Sequence, residues 1–286
     1  MADVNQLREL ETALYTSGCL LSGASIKRVP RELFNVGQRN IEAEVDGETI
    51  TGLLIRDCAL VKLPDQIGEL KSLTRLFLYE TDLEALPETV GGLKSLHTLD
   101  IGHNKISSLP ETLSELSRLR FLYISDNRLT ELPTWIERLD SLSYLSATDN
   151  ELTALPGEIG SLTRLVELRL YGNQITRLPN TIGNLLALRE LHLMDNALES
   201  LPDSLSDLAS LRILSVRNNQ LETLPDSLGG LNKLHTLDLR SNRLTSLPET
   251  IANMPLLEKL DLRWNPLRDM PSWLTNLEAR GCIVYT

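Results

Sequence analysis

Cysteine is scarce in this chain, with three residues among 286: Cys19, Cys58 and Cys282. Their odd number and wide spacing do not form the pattern of a disulfide framework, which is typical of oxidising compartments. The chain also contains no Asn-x-Ser/Thr sequon, and its first residues lack the basic and apolar regions of a secretory signal. These absences predict a cytoplasmic protein. Secretion into the cytosol of a host cell, as an effector, would leave the same traces and is the alternative.

Long hydrophobic runs and an excess of positive charge are absent as well. No apolar run reaches about 18 residues, which predicts that the chain has no membrane span. Lys and Arg number 28 against 39 Asp and Glu, for a formal net charge of −11. Because such a charge repels a phosphate backbone, we expect no binding of nucleic acid.

Motifs of catalysis and of cofactor binding are missing too. The sequence has no phosphate-cradling glycine loop, no zinc-ligand spacing and no nucleophile elbow. Cys282 has no histidine or acidic residue adjacent to it in the sequence. We therefore do not expect an enzyme, and we expect neither a cofactor nor a metal.

The chain does contain one motif repeated at a fixed interval, since Leu-Pro occurs nine times at intervals of 23 residues without an insertion or a deletion, and Met270-Pro271 takes the tenth place. The prolines of these pairs are Pro64, Pro87, Pro110, Pro133, Pro156, Pro179, Pro202, Pro225, Pro248 and Pro271. A strict period of this length predicts a solenoid, because one unit cannot bury its apolar face alone and must stack on its neighbours.

Each unit follows the pattern L-x-x-L-x-L-x-x-N-x-L-x-x-L-P-x-x-I-G-x-L-x-x, and its fourth position is Leu in every unit, from Leu53 to Leu260. Around L-x-L the apolar residues alternate as a half-buried strand requires. Successive units therefore predict a parallel sheet of about ten strands. The proline ends regular pairing, and the short stretch after it predicts a turn or a 3₁₀ segment.

This repeat resembles the leucine-rich repeat family over about residues 50–280. Its Leu-Pro-x-x-Ile-Gly variant is similar to that of the intracellular Ras-scaffold proteins of animals, related plant proteins and bacterial effectors. The resemblance implies an α/β solenoid, a curved horseshoe with a parallel sheet on its concave face and short turns or 3₁₀ segments on its convex face. We expect an N-terminal cap over 1–49 (an amphipathic helix plus a hairpin), ten repeats over 50–271, and a C-terminal cap over 272–286.

Asparagine occupies the ninth position of eight units: Asn104, Asn127, Asn150, Asn173, Asn196, Asn219, Asn242 and Asn265. At the end of a strand, an asparagine amide can satisfy backbone groups of its own repeat and of a neighbouring one, as buried backbone demands. We therefore expect these asparagines to be structural rather than to bind a partner.

The third, fifth and seventh positions of each unit are expected to point out of the concave face. Six of the nine Phe and Tyr residues lie in these positions: Phe77, Tyr79, Phe121, Tyr123, Tyr144 and Tyr171. An unburied cluster of aromatic side chains predicts a protein-binding hot spot. The alternative is that strands simply favour aromatic residues.

The seventh position also carries a column of three arginines, Arg217, Arg240 and Arg263, with Asp238 and Asp261 close beside them. Such a column could bind carboxylates or phosphates bidentately. Equally, the arginines could pair with the aspartates as a solvated lattice that contributes little energy. Both interpretations remain open at the level of sequence.

Together these observations predict a non-catalytic protein-protein interaction module, a monomer that binds a macromolecular partner on its concave face. The predicted contacts are the six aromatic residues, the three arginines and Asp238. The resemblance implies a protein partner such as a small GTPase, a phosphatase subunit or a host signalling protein. The alternative function is substrate recognition within a multi-chain enzyme such as a ubiquitin ligase, or action as a bacterial effector in a host cell.

Overall fold

A computed structural model describes residues 41–46, 49–57 and 59–286. The amphipathic helix predicted near the N-terminus lies outside these residues. The chain divides into two compact units, Met1–Leu129 and Thr130–Thr286.

The first unit contains a hairpin followed by repeats. Its strands are β1 (Ile41–Asp46), β2 (Thr49–Arg56), β3 (Arg75–Tyr79), β4 (Thr98–Asp100) and β5 (Phe121–Tyr123). Strands β1 and β2 pair antiparallel, and from β2 to β5 each strand pairs parallel with the next.

The second unit continues the same pattern. Its strands are β6 (Tyr144–Ser146), β7 (Glu167–Arg169), β8 (Glu190–His192), β9 (Ile213–Ser215), β10 (Thr236–Asp238), β11 (Lys259–Asp261) and β12 (Ile283–Tyr285). They pair parallel in chain order. One short α-helix, α1 (Leu274–Ala279), precedes β12 and buries Leu274 and Leu277.

The register of the parallel pairs equals the sequence period. Leu76 lies opposite Leu99 in the first unit, and Leu168 lies opposite Leu191 in the second. Because each residue faces its counterpart 23 positions away, equivalent positions of successive repeats form columns across the sheet. The leucine columns are buried, and Leu76, Leu99, Leu168 and Leu191 are fully inaccessible to solvent.

A 3₁₀ segment follows each Leu-Pro pair from Pro64 to Pro248. These segments are Asp65–Glu69, Glu88–Gly92, Glu111–Glu115, Thr134–Arg138, Gly157–Ser161, Asn180–Asn184, Asp203–Asp207, Asp226–Gly230 and Glu249–Asn253. The preceding proline is extended in each case, as at Pro156 with φ −67° and ψ 151°. Its fixed φ suits the residue that leads into a helical turn. Parallel strands alternating with 3₁₀ segments are the predicted architecture.

The regularly spaced asparagines bond to backbone groups of successive repeats, as expected. The Asn219 side-chain amide donates to the carbonyl oxygens of Leu193 and Val216 at 2.9 Å, and its oxygen accepts from the Leu198 amide at 2.9 Å. The side chain is buried and joins two successive repeats. Asn127 and Asn242 make equivalent bonds in their own repeats. These residues hold the backbone of one repeat against the next.

Candidate functional site

The surface of interest is formed by the third, fifth and seventh positions of the repeats, whose side chains lie on the solvent side of the strands; we call it the strand face. Its residues are not needed for the leucine core, so their chemistry is informative. In the second unit this face carries two tyrosines near β6 and β7, a group of charged residues on β7 and β8, and the arginine column beside β9 to β11.

The arginine column is paired with aspartates, two on the strand face and one, Asp195, at the adjoining eighth position. Arg240 donates from Nε and Nη2 to the two carboxylate oxygens of Asp238 at 2.9 and 2.6 Å. Arg263 holds Asp261 in the same bidentate way at 2.9 and 2.7 Å. Arg217 makes a single bond to Asp195 at 3.3 Å. The predicted pairing of Arg with Asp is therefore present in the structure.

The pairing does not use all the donors of these guanidinium groups. Arg240 and Arg263 are each held through Nε and Nη2, and among the described residues neither Nη1 has a hydrogen-bond partner. A guanidinium carries five N–H donors in a fixed plane. Each aspartate thus orients its arginine and leaves one edge of the guanidinium open to a ligand.

Asp261 is the most unusual charged residue of the face, because it is fully buried although its column points to solvent. Arg240 and Arg263 both lie against it, at 3.4 and 2.7 Å. Burial raises the pKa of Asp261, but the hydrogen bonds from Arg263 and the charges of both arginines outweigh that effect, so its pKa is lowered. The carboxylate therefore remains ionised and anchors two arginines at once.

A second charged group lies on β7 and β8. Arg169 donates to Glu167, and its guanidinium carbon lies 5.7 Å from the centre of the Tyr144 ring. His192 Nε2 lies 3.1 Å from Glu190 Oε2. Ligand atoms of Glu167, Glu190 and His192 lie within 4.8 Å of one another. Arg169 supplies positive charge beside Glu167, whereas His192 is the neighbour of Glu190.

The predicted aromatic residues fall into both units. Phe77, Tyr79, Phe121 and Tyr123 lie half-buried on the strand face of the first unit, and Tyr144 and Tyr171 lie half-buried on that of the second. In the first unit, Tyr79 interacts with Arg56 and raises the pKa of that guanidinium. Arg120 lies 5.8 Å from the Phe121 ring centre. The aromatic residues are thus accessible in part and accompanied by arginines.

Sequence reasoning missed residues at the C-terminal end of the second unit. Arg263 lies over the rings of Trp264 and Tyr285, with its guanidinium carbon 5.3 and 4.9 Å from their centres. Lys259 Nζ lies 5.6 Å from the centre of the Tyr285 ring. The signal for Trp264 was present in the alignment of the repeats, because every other eighth position holds glycine, histidine or a short polar or acidic residue.

Family comparisons agree with this fold. A model described as "Leucine-rich repeat region" matches residues 110–201, and one described as "Leucine rich repeat" matches residues 71–129 and 210–267. The chain belongs to the leucine-rich repeat family, and its predicted fold class is confirmed. Such repeats are generally non-catalytic interaction modules, which supports the expected class of protein. The finer likeness of the Leu-Pro-x-x-Ile-Gly variant stays a prediction.

Solved structures of similar fold include plant receptors. The plant peptide hormone receptor RGFR1 in complex with RGF2 is 31% identical over 78% of this chain and 37% of its own, with a TM-score of 0.70. A second is the ectodomain of the plant membrane receptor kinase GASSHO1/SCHENGEN3 from Arabidopsis thaliana, in complex with CASPARIAN STRIP INTEGRITY FACTOR 2. It is 25% identical, the match covers 95% of this chain and 34% of the receptor chain, and the TM-score is 0.77. The PEPR1-AtPEP1 structure is 28% identical over 99% and 48%, with a TM-score of 0.69.

The present chain therefore spans between about a third and a half of the length of these receptor chains. No curated protein matches its sequence. Among the described residues, none of the helices has the length and apolar composition needed to span a membrane.

The predicted cytoplasmic location is wrong by these comparisons. The similar structures include a peptide hormone receptor and the ectodomain of a membrane receptor kinase, and this likeness points away from a cytoplasmic location. The prediction depended on the few scattered cysteines and on the absence of a sequon and of a secretory signal. Among the described residues, stacked leucines and bonded asparagines hold successive repeats together, so this fold does not need many cysteines in any compartment.

Proposed function

We propose that this chain binds a protein or peptide segment along the strand face. In the second unit, Tyr144 and Tyr171 would contact apolar parts of the partner, and Arg217, Arg240 and Arg263 would contact its carboxylates. Asp238 is a positioning residue, because it holds Arg240 in place. The observation that carries the proposal is the open Nη1 edge of guanidinium groups whose other edge is already fixed.

Fixing these side chains before binding matters energetically. Ordering a long side chain at an interface costs about 0.5–1.5 kcal/mol. Asp238 and Asp261 impose that order in the free protein, so a carboxylate that reaches Arg240 or Arg263 meets an oriented donor. Hydrogen bonds between arginine and carboxylate are also among the stronger ones in proteins.

The first unit offers the complementary chemistry. Phe77, Tyr79, Phe121 and Tyr123 give its strand face an aromatic character that the end of the second unit shares only in part. Aromatic residues dominate binding hot spots because they bury large areas with few rotatable bonds. We propose that these four residues contact apolar side chains of the same kind of partner.

The peptide complexes of the similar receptors support this class of partner. RGFR1 was solved with RGF2, and GASSHO1/SCHENGEN3 was solved with CASPARIAN STRIP INTEGRITY FACTOR 2. A strand face that carries aromatic groups and oriented arginines suits a flexible segment that can lie across several repeats.

The test is affinity capture from an extract, read by quantitative mass spectrometry. The baits are the wild type, Arg217→Gln with Arg240→Gln, Phe121→Ala with Tyr123→Ala, and the control Arg177→Gln. Arg177 is 77% exposed and lies outside the strand face, so its replacement removes a charge without altering the site. A partner retained by wild type and control but lost from both double variants supports the proposal. Equal capture by all four folded baits would contradict it.

A further inference from the structure

Trp264 stands out in a column of the repeat that places strict demands on the backbone. The eighth position has a positive φ in every described repeat, between 50° and 68°. Its residues are Asp57, Glu80, His103, Asp126, Asp149, Gly172, Asp195, Asn218, Ser241 and Trp264. Glycine, asparagine and aspartate tolerate this left-handed region, whereas a bulky aromatic residue rarely adopts it.

Trp264 is also exposed to solvent. Its φ is 61°, a backbone conformation that is unfavourable for tryptophan, and 68% of its surface is accessible, which leaves an apolar ring in water. Neither feature contributes to the leucine core. A residue kept in a strained and exposed position is a candidate for a functional contact.

Cationic and aromatic groups converge around this residue. Arg263 contacts two aromatic rings, with its guanidinium carbon 5.3 Å from the centre of the Trp264 ring and 4.9 Å from the centre of the Tyr285 ring. Lys259 lies 5.6 Å from the Tyr285 ring centre. We call Lys259, Arg263, Trp264 and Tyr285 the anchor cluster. Arginine with tryptophan and tyrosine is the composition that hot spots favour.

The charge around the anchor cluster is positive, unlike that of the chain as a whole. The strand face from β9 to β12 carries four cations, Arg217, Arg240, Lys259 and Arg263. It carries two carboxylates, and both are held bidentately by arginines. Within the part of the chain that the structure describes, Lys259 has no carboxylate within ion-pair distance. The whole chain has a formal net charge of −11, so this excess of positive charge is local.

We propose that the anchor cluster binds an acidic peptide segment, one rich in Asp and Glu with interspersed apolar residues. Lys259 Nζ and the free Nη1 of Arg263 contact its carboxylates, and the exposed ring of Trp264 packs on its apolar atoms. The inference deepens the proposed function and rests on it, because the bound segment continues from the strand face onto this end of the second unit.

The experiment uses fluorescence anisotropy with labelled peptides of about eight residues that alternate Glu-Leu, Gln-Leu or Lys-Leu. We expect the wild type to bind the Glu-Leu peptide about ten-fold more tightly than the Gln-Leu peptide, with affinity that falls as salt rises from about 50 to about 500 mM. The Lys-Leu peptide should bind more weakly than either. Equal binding of all three peptides would overturn the proposal.

Two pairs of variants locate the contact. Trp264→Asn should weaken Glu-Leu binding about ten-fold without lowering the thermal midpoint, because Asn accepts a positive φ. Its control Leu186→Asn removes another exposed apolar side chain, 57% accessible, and should bind like wild type. Lys259→Gln should weaken binding, whereas Arg268→Gln, an exposed charge outside the cluster, should not. Unchanged binding by both cluster variants would refute the assignment.

The outcomes separate this inference from the proposed function. If Glu-Leu binding is insensitive to Trp264→Asn and Lys259→Gln while a captured partner is still lost from the Arg217 and Arg240 double variant, the anchor cluster is refuted and the strand-face proposal stands. If the cluster variants instead abolish binding to vesicles of anionic phospholipid and leave the peptide unaffected, the cluster recognises a membrane surface and the peptide assignment is overturned.

Discussion

Among single residues, the eighth position of the repeat is notable because its positive φ disfavours bulky side chains, yet one repeat places an exposed tryptophan there. Nine of its ten described members are glycine, histidine, serine or residues with short polar or acidic side chains, and the tenth is Trp264. Local strain of this kind persists only where the surrounding structure enforces it. Here the sheet register fixes the backbone, so the side chain must accept the conformation.

Trp264→Asn should raise the free energy of unfolding by about 1 kcal/mol, because asparagine relieves the left-handed strain at φ 61°. Urea unfolding followed by circular dichroism measures the change. The reciprocal substitution Ser241→Trp places tryptophan at an equivalent position with φ 52° and should lower stability by a similar amount. A loss of stability in Trp264→Asn would show that the ring contributes to packing.

Asp261 should make stability depend on acidity. Its pKa is lowered in the folded chain, so its contribution is fully present above its ordinary value of 3.8 and is lost as the pH falls below that value. Asp261→Asn should therefore cost about 1.5–3 kcal/mol at neutral pH. It should also flatten the fall of stability between about pH 4 and pH 2. Unfolding curves at several pH values test this, and parallel curves for both proteins would contradict it.

At the scale of elements, some 3₁₀ segments pack so closely on the next that their glycines leave no room for a side chain. The Gly160 backbone lies against the carbonyl oxygen of Thr181 in the next segment, and an added methyl group would collide with that oxygen. Gly157, in the same segment, has open space where its Cβ would lie. Glycine thus permits the close approach at this interface, whereas Ser114, Glu137 and Ala252 occupy the same position of other repeats.

Gly160→Ala should destabilise the second unit by about 1–3 kcal/mol, because the two 3₁₀ segments must separate to admit the methyl group. Gly157→Ala is the matched control and should change stability little. Thermal unfolding of the two variants makes the comparison, and equal midpoints would mean that the segments can separate at no cost.

In the molecule as a whole, the stability of each 23-residue repeat depends on the repeats that precede and follow it. The asparagines carry part of that dependence. Asn219 joins its own repeat to the backbone carbonyl of Leu193 and the backbone amide of Leu198 in the preceding one. Removing it leaves several buried backbone groups without partners, at about 1–3 kcal/mol for each.

Asn219→Ala should therefore weaken the array locally rather than uniformly. Native-state hydrogen exchange should show faster exchange at the Leu198 amide, which bonds to Asn219, and at its neighbours. The Leu152 amide, bonded to Asn173, should keep its protection. Uniform acceleration across both amides would indicate that the second unit opens as a single block.

Most of the fold follows from the repeat, and the site follows only in part. The interval of 23 residues predicts columns, and the observed register of Leu168 opposite Leu191 follows directly from it. The arginine column is visible in the sequence for the same reason. Its pairing is not, because Asp238 holds one arginine whereas Asp261 contacts two, and that difference depends on side-chain packing.

Four properties follow from the repeated sequence alone: the stacking of strands, the buried leucines, the 3₁₀ segments after Leu-Pro and the role of asparagine. These properties depend on residues that recur every 23 positions, so one repeat predicts the next. Three others are visible only in the folded chain: the donors that remain open at Arg240 and Arg263, the burial of Asp261, and the exposure of Trp264 beside Arg263. These properties depend on contacts between side chains of different repeats, where the sequence departs from its own period.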